Sequence, residues 1–260
     1  MDLFLFTTDL DQARESFEVG ISGFVVDWEL RGKHRRQRGW DTEINRDTPE
    51  DLEGLRSLDS ARRICRINGF GDTTPDEVET AIEKGATDLL LPMVKKPSEV
   101  DAYLRLVDGR VRAGILVETR EACDCAREIA ALPIDLVYLG LNDLAISRGT
   151  PSLFAPLADG LAYELRGLFE KVPFGMGGLT VVDGGRPLPS LVLMSELSRH
   201  RCDFTFLRRS YRRDIEGRHP GEEVARIESA WKALETRDAD TVRTDHRRFL
   251  SAHAAIERRR

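Results

Sequence analysis

The regular alternation of short apolar runs with helical patterns constrains the fold of this 260-residue chain most strongly. Each run is rich in β-branched or aromatic residues and nearly continuously apolar, which is typical of a strand buried on both faces. Eight such runs are predicted as strands, at residues 3–7, 23–27, 63–68, 89–94, 114–118, 135–140, within 173–182, and at 203–207.

Helix start signals follow the apolar runs. Thr48 precedes Pro49 and Asp51, the pattern of a capping residue, a proline in the first turn and an acid at the third helical position. Thr74-Pro75-Asp76 repeats this signal, and Gly85 stands where that helix would end. Further helices are predicted to begin at 9 and 96 and to cover 119–132, 161–169, 188–197, 222–234 and 239–256.

Eight strands alternating with eight helices at this length predict a parallel (β/α)₈ TIM barrel of the α/β class, with an extra C-terminal helix. A doubly wound open sheet is the alternative, although no GxGxxG motif follows the first run. We expect one barrel domain at 1–236 and a helical extension at 237–260, which we expect to cover a neighbouring subunit rather than its own barrel.

Composition excludes several classes of protein. The chain has 39 basic and 45 acidic side chains, a net charge of −6, which argues against a general nucleic-acid partner. No apolar run approaches the ~20 residues of a membrane span, and the N-terminus lacks a basic signal-peptide region. Four cysteines without zinc-ligand spacing predict reduced thiols and a cytoplasmic protein.

Polar side chains gather where the predicted strands end, which in a barrel is the catalytic rim. They are Asp27 and Glu29 after the second run, Arg66 and Asn68 after the third, Glu118 after the fifth, and Asn142 and Asp143 after the sixth. Glu118 and Asp143, on adjacent strands, suit Mg²⁺ or Mn²⁺, because these ions prefer oxygen ligands and keep positions open for a substrate.

Arg66 would complete a site for a small 2-oxo acid by binding a carboxylate through both arms of its guanidinium. The metal would stabilise the developing enolate. Three simpler interpretations stay open. Glu118 could favour the dipole of the next helix, Asp143 could be a turn residue, and Arg66 could pair with Glu29.

Basic residues are also concentrated near this rim. They occur in the loop 30–47, which contains His34, and after the eighth run, where Arg209 stands. Gly177 and Gly178 follow the seventh run, and barrels often bind phosphate after strands seven and eight. This pattern favours a small anionic substrate, with phosphorylated and coenzyme-A-linked compounds among the candidates, although the same loop could be a solvated surface.

At these residues the chain resembles the HpcH/HpaI aldolases and citrate lyase β-subunits of the phosphoenolpyruvate/pyruvate superfamily. Five stretches carry the resemblance: GFVVDWE from Gly23, RICRING from Arg63, GATDLLLPMVKKPSEV from Gly85, GILVET from Gly114 and DLVYLGLNDLAISRG from Asp135. The resemblance implies that Glu118 and Asp143 hold the metal, that Arg66 binds the substrate carboxylate, and that the protein is a homo-oligomer.

One departure from the family concerns proton transfer. The aldolases carry a histidine directly after the acid pair of the second strand, where this chain has Leu30. His34 is the nearest substitute, and Glu29 and Asp27 are the other candidates for moving the proton.

Three functions follow as hypotheses. The first is a divalent-metal-dependent carbon–carbon lyase or aldolase acting on a 2-oxo acid through pyruvate or oxaloacetate enolate chemistry. The second is a citrate-lyase-like lyase, synthase or thioesterase acting on an acyl-CoA or carrier-bound acyl group, which the missing histidine favours. The third is a non-catalytic barrel that binds a ligand.

Overall fold

The computed structural model describes residues 1–32, 47–208 and 210–258 and contains a closed barrel of eight parallel strands. Each strand is hydrogen-bonded to the next along the chain, and β8 closes on β1. The predicted (β/α)₈ barrel is therefore confirmed, and the open-sheet alternative is excluded. The strands are β1 Asp2–Phe6, β2 Gly23–Asp27, β3 Arg62–Arg66, β4 Asp88–Leu91, β5 Arg112–Val117, β6 Leu136–Leu139, β7 Phe174–Met176 and β8 Phe204–Leu207.

The helices surround these strands in the predicted order. In the first half of the chain they are α1 Leu10–Glu18, α2 Pro49–Gly54, α3 Thr74–Glu83, α4 Pro97–Val107, α5 Arg120–Asp124 and α6 Ala126–Ile129. In the second half they are α7 Leu141–Arg148, α8 Ala155–Ala158, α9 Leu161–Leu168, α10 Ser190–Arg199, α11 Ser210–Asp214, α12 Pro220–Glu235 and α13 Ala239–Glu257. A short 3₁₀ turn at Leu55–Ser57 follows α2.

Local capping chemistry explains where helices begin. The Thr48 side chain accepts a hydrogen bond from the Asp51 backbone N–H, and the Asp51 carboxylate accepts one from the Thr48 N–H, so the predicted capping box is confirmed. The second signal is displaced by one residue. Thr73 rather than Thr74 occupies the N-cap position of α3 and makes no side-chain capping hydrogen bond, while the Thr74 hydroxyl accepts a hydrogen bond from the Gly71 N–H.

The long helix predicted at 119–132 is wrong in one respect. It is divided into the short helices α5 and α6, which meet at Cys125. The Cys125 backbone has φ −113° and ψ 23°, outside helical values, although the apolar spacing continues through it. Apolar periodicity reports which side is buried, and it does not detect a single non-helical residue.

Aromatic side chains fill the inside of the barrel. Phe4 and Phe204 lie 5.4 Å apart between ring centroids, and Tyr138 stacks on Phe206 at 4.1 Å. A glycine makes room for this packing, because a Cβ on Gly175 would stand 2.6 Å from the Phe204 ring. The inside of the barrel is thus a core packed with side chains.

The C-terminal extension packs against its own barrel. Phe249 of α13 is fully buried, and His246 Nδ1 lies 3.1 Å from the Glu196 carboxylate of α10. Arg237, just before α13, pairs with Asp245 at 2.7 Å and also donates to the Ser195 carbonyl. The expectation that this helix covers a neighbouring subunit is therefore wrong for the face that carries Phe249.

Two predictions of absence can be compared with the structure. All four cysteines are free thiols, and Cys65 and Cys202 are buried. Among the helices within the described ranges, none combines the length and apolarity needed to cross a lipid bilayer.

Candidate active site

A cavity of about 340 Å³ opens at the C-terminal ends of the strands. The predicted residues Asp27, Arg66, Glu118, Asn142, Asp143, Gly177 and Gly178 line it. Further lining residues include Phe6, Tyr138, Phe206, Arg186, Arg208 and Arg212. The cavity thus has an aromatic floor and charged walls.

Glu118 is held rigidly at the end of β5. Its side chain is buried, and its Oε1 accepts a hydrogen bond of 2.9 Å from the Met93 backbone N–H. Met93 has φ 56°, a left-handed conformation uncommon for a residue with a side chain. On the other side, a Cβ on Gly140 would stand 2.3 Å from Glu118 Oε2. Only glycine at 140 leaves room for this carboxylate.

Asp143 lies in the first turn of α7 and forms a carboxylate pair with Glu118. Burial, followed by the charges of Asp143 and Glu29, raises the pKa of Glu118 to about 8, while Arg66 opposes this shift. Two adjacent carboxylates with little solvent around them repel each other, and a cation between them would remove that repulsion. The pair therefore fits a divalent metal ion that prefers oxygen ligands.

The protein would supply only part of such an ion's coordination. Within the described part of the chain, no group of three or more His, Cys, Asp and Glu side chains is placed to hold a metal. Glu118 and Asp143 would be the two side-chain ligands, and water and substrate would fill the remaining positions. Mg²⁺ and Mn²⁺ tolerate such a site because they retain several exchangeable oxygen ligands.

Arg66 faces a carboxylate of the protein itself. Its Nε and Nη2 donate to the two oxygens of Asp27 at 2.8 and 2.7 Å, and Glu29 Oε2 lies 3.6 Å from Nε. Burial lowers the pKa of Arg66, but the charges of Asp27 and Glu29 outweigh burial and the pKa is raised overall. The structural pairing considered for Arg66 is thus present, with Asp27 as the closer partner.

Asn68 is placed away from the cavity. Its backbone N–H and side-chain amide donate to Glu77 at 2.8 and 3.1 Å. Its Oδ1 accepts hydrogen bonds from the backbone N–H groups of Leu30 and Arg31. Asn68 therefore ties the loop after β3 to the loop after β2 and is not among the residues that line the cavity.

The other predicted residues are distributed as follows. Glu29 is buried beside Arg66 but does not line the cavity. Leu30, at the family's histidine position, is an exposed apolar side chain. His34 and Arg209 lie outside the described residues.

The wall formed by the loops after β7 and β8 holds the residues that sequence reasoning missed as site residues. Arg186, Arg208 and Arg212 all reach the cavity. Arg208 and Arg212 belong to the basic stretch after the eighth run, so their composition was a usable signal. Arg186 lies in a loop with no pattern of its own. Tyr138 points into the barrel and donates its hydroxyl proton to the Gly177 carbonyl.

Known proteins resemble the chain in structure but not detectably in sequence. Neither a scan of protein-family models nor a search of curated proteins finds a match. Among solved structures, an HpcH/HpaI aldolase from Desulfitobacterium hafniense DCB-2 matches with a TM-score of 0.61 and 14% identity over 91% of this chain and 93% of that chain. An HpcH/HpaI aldolase/citrate lyase family protein from Burkholderia cenocepacia J2315 matches with a TM-score of 0.59 and 15% identity over 79% and 86%.

Two further neighbours widen the range of named activities. RipC from Yersinia pestis matches with a TM-score of 0.58 and 18% identity over 93% of this chain and 98% of that chain. The citrate synthase SbnG matches with a TM-score of 0.56 and 16% identity over 92% and 94%. The resemblance inferred from the sequence is confirmed by these neighbours, and at such identities the likeness shows the fold alone.

Proposed function

We propose that this protein is a divalent-metal-dependent carbon–carbon lyase acting on a small 2-oxo acid. The observation that carries the proposal is the Glu118–Asp143 pair, buried at the catalytic rim of the barrel and crowded enough to raise the pKa of Glu118 to about 8. Neighbours named as aldolases and as members of the aldolase/citrate lyase family support the reaction class.

Each residue of the site would have a distinct role. Glu118 and Asp143 would hold Mg²⁺ or Mn²⁺, which supplies Lewis-acid stabilisation of negative charge on the keto oxygen when bound. Arg66 keeps a fixed positive charge at the cavity wall, because Asp27 holds its guanidinium from one side. Such a preorganised charge stabilises a developing anion without reorganisation during the reaction.

Asp27 is the best candidate among the described residues for moving a proton. It lines the cavity, and it lies outside the Glu118–Asp143 pair. Leu30 carries no titratable group, so the side chain at the family's histidine position cannot do this. Asp27 would act through a water molecule, since its two oxygens already accept hydrogen bonds from Arg66.

A second candidate function is acyl-CoA chemistry on the same metal site. Leu30 in place of the aldolase histidine favours it, and so does a neighbour named as a citrate synthase. The reaction would form or break a carbon–carbon bond next to a thioester, and hydrolysis of that thioester by water would be detected by release of free thiol.

The test is release of pyruvate from a panel of 4-hydroxy-2-oxo acids, with Mg²⁺ or with EDTA, in the native protein and in Asp143→Asn. We expect metal-dependent release in the native protein and loss of release in the variant. Asp101→Asn, an exposed change on α4, is the matched control and should behave as native.

Three outcomes would redirect the proposal. Full activity in EDTA would reject the metal role. Thiol release from acetyl-CoA and glyoxylate, without pyruvate release from any 4-hydroxy-2-oxo acid, would favour the second function. Binding of oxalate and Mg²⁺ without turnover of either substrate class would indicate a ligand-binding barrel.

A further inference from the structure

The cations of the cavity are of two kinds. Arg66 is hydrogen-bonded to both oxygens of Asp27 and approached by Glu29, so it already has carboxylate partners inside the protein. Arg186, Arg208 and Arg212 have no carboxylate of the described residues within ion-pair distance, although the charge of Asp47 acts on Arg212 and that of Asp214 on Arg208. Among the described residues, the cavity arginines without a directly paired carboxylate therefore lie on the wall that follows β7 and β8.

Arg208 is the arginine of this wall that lacks, within the described part of the chain, a hydrogen-bond acceptor for a buried N–H. Its Nε is buried and finds no hydrogen-bond partner among the described residues, while its Nη1 reaches only the Arg186 carbonyl at 3.4 Å. An unsatisfied buried guanidinium N–H costs folding free energy unless an acceptor arrives. Burial lowers the pKa of Arg208, with Asp214 opposing that shift, which reflects the same loss of solvent.

The surrounding chain makes space for Arg208. Gly178 lies beside it, and a Cβ there would stand 3.2 Å from Arg208 Cβ, closer than ordinary contact. Gly177, one residue earlier, has φ 72° and presents its carbonyl to the Tyr138 hydroxyl. These glycines bring the loop after β7 close to the end of β8, so that Arg208 stands at the cavity wall rather than in solvent.

Arg212 extends this wall to the end of β1. Its Nη2 donates to the carbonyl of Phe6, the last residue of that strand. In a closed barrel of eight strands in sequential order, β1 and β5 stand on opposite sides. Arg212 therefore lies across the mouth from Glu118, which follows β5 directly.

We propose that Arg208 and Arg212, assisted by Arg186, form a second oxyanion subsite that binds a carboxylate or phosphate at the far end of the substrate. The substrate is then an anion at both ends, with its 2-oxo acid group at the Glu118–Asp143 side. This inference rests on the proposed function for the identity of that first end, whereas the arginine subsite itself follows from the geometry of the wall.

The carboxylate and the phosphate share the chemistry that the wall recognises. Guanidinium groups bind both through charge-assisted hydrogen bonds, and loops after strands seven and eight bind phosphate in many barrels. An apolar terminus would leave Arg208 Nε without an acceptor in the complex, so the subsite discriminates against substrates with an apolar end.

The test measures anion binding with EDTA present, so that no metal contributes. Calorimetric titration of the full chain with inorganic phosphate and with glutarate should show binding, and butyrate, which has one carboxylate, should bind more weakly. Arg208→Gln should weaken phosphate or glutarate binding about tenfold or more, which is the usual scale of a charged hydrogen bond. Arg105→Gln, an exposed arginine on α4, is the matched control and should leave binding unchanged.

The tighter of the two probes identifies the terminal group. Arg208→Lys separates charge from geometry, because lysine keeps the positive charge but lacks the planar array of N–H donors of the guanidinium. We expect its affinity to lie between those of Arg208→Gln and the native protein. Native-like binding by Arg208→Gln, or no binding of either probe by the native protein, would overturn the subsite. A separate titration with oxalate and Mg²⁺ reports on the proposed metal site, so failure of one site is distinguishable from failure of the other.

Discussion

Both ends of this barrel bury charged side chains, but the two ends balance them differently. At the N-terminal end, Asp88 is fully buried and receives both Nε and Nη2 of Arg62, at 3.2 and 2.5 Å. The Thr87 hydroxyl donates to the same carboxylate at 2.7 Å, and Arg112 approaches it at 3.6 Å. Every oxygen of this buried acid has a partner, so the end is closed by matched charges.

At the C-terminal end the matching is incomplete. Glu118 has Asp143 as a neighbour of the same sign, and Arg208 leaves a buried N–H without an acceptor within the described residues. The difference indicates that the buried charges at the N-terminal end stabilise the fold, whereas those at the C-terminal end belong to the candidate site. The charges at the N-terminal end are balanced within the protein, whereas the proposed cation and anion would balance those at the rim.

The largest expected effect is a loss of activity, without a loss of stability, when a carboxylate at the rim is neutralised. Glu118→Gln keeps the size of the side chain and its acceptor for the Met93 N–H, but removes the negative charge. We expect metal-dependent product release to fall about 10³-fold or more, since a ligand of the proposed Lewis acid is lost. Relative to the native protein, the melting temperature of the metal-free variant should be the same near pH 4.5 and higher at about pH 9, because the native protein loses the Glu118 contribution as the pH rises between these values.

The comparison is carried out by steady-state kinetics and thermal denaturation on the same preparations. Asp101→Asn serves as the control for an exposed carboxylate. If Glu118→Gln lowered the melting temperature at both pH values, the inference that the rim carboxylates repel one another would be wrong.

The second prediction concerns the N-terminal end of the barrel, where we expect a loss of stability without a loss of activity. Asp88→Asn leaves Arg62 with a buried charge and no full counter-charge, and breaking a buried pair in this way costs about 3–5 kcal/mol of unfolding free energy. The turnover number per folded molecule should be unchanged, because Asp88 is at the first residue of β4 and the cavity lies at the opposite end. Urea denaturation and active-site titration measure the two quantities.

Asp2→Asn is the matched control, because Asp2 meets Arg62 at 3.8 Å and is half exposed. An exposed pair of this kind contributes about 1 kcal/mol or less. A loss in Asp2→Asn as large as that in Asp88→Asn would contradict the role of burial.

The positions of strands and site carboxylates were accessible from the sequence because both are local signals. The run at 23–27 coincides with β2, and Glu118 and Asp143 stand after adjacent strands as predicted. A strand that is buried on both faces is recognisable from its nearly continuous apolar composition, and the first polar residue after it lies at the rim.

The pairing of charges was not accessible, because it depends on register and on side-chain reach. Asp27 and Arg66 are direct partners in the β2–β3 ladder, 39 residues apart along the chain, and no local pattern gives that alignment. Arg186 enters the cavity from a loop without periodicity. Asn68 was predicted from its place after a strand, but its neighbour Glu77 directs it to the loop after β2.

A smaller effect is expected from a change that only moves Glu118. Gly140→Ala would place a methyl group 2.3 Å from Glu118 Oε2, so the carboxylate must shift away from its present position. Substitutions that displace a metal ligand without removing it typically weaken metal binding by about 10–100-fold. Titration with Mn²⁺, followed by electron paramagnetic resonance, measures the change. Gly167→Ala on α9, at a site with open space and no left-handed backbone, controls for loss of a glycine in general.

The smallest effect is a pH dependence that distinguishes the rim from the N-terminal end. The folded state raises the pKa of Glu118 from 4.5 to about 8, chiefly through burial and then through Asp143. The folded protein therefore binds this proton more tightly than the unfolded chain does. The contribution of Glu118 to unfolding free energy is full below pH 4.5 and is lost as the pH rises through about 8.

Mg²⁺ competes with that proton for the same carboxylate, so its stabilising effect should increase with pH. We expect the rise in melting temperature caused by saturating Mg²⁺ to be larger by a few degrees at about pH 9 than at about pH 6. Glu118→Gln should abolish the difference, whereas Asp88→Asn should lower both melting temperatures and keep it. A pH-dependent gain that survived in Glu118→Gln would place the titrating metal ligand elsewhere, because Glu118 is the carboxyl whose pKa is raised by burial, Asp143 and Glu29.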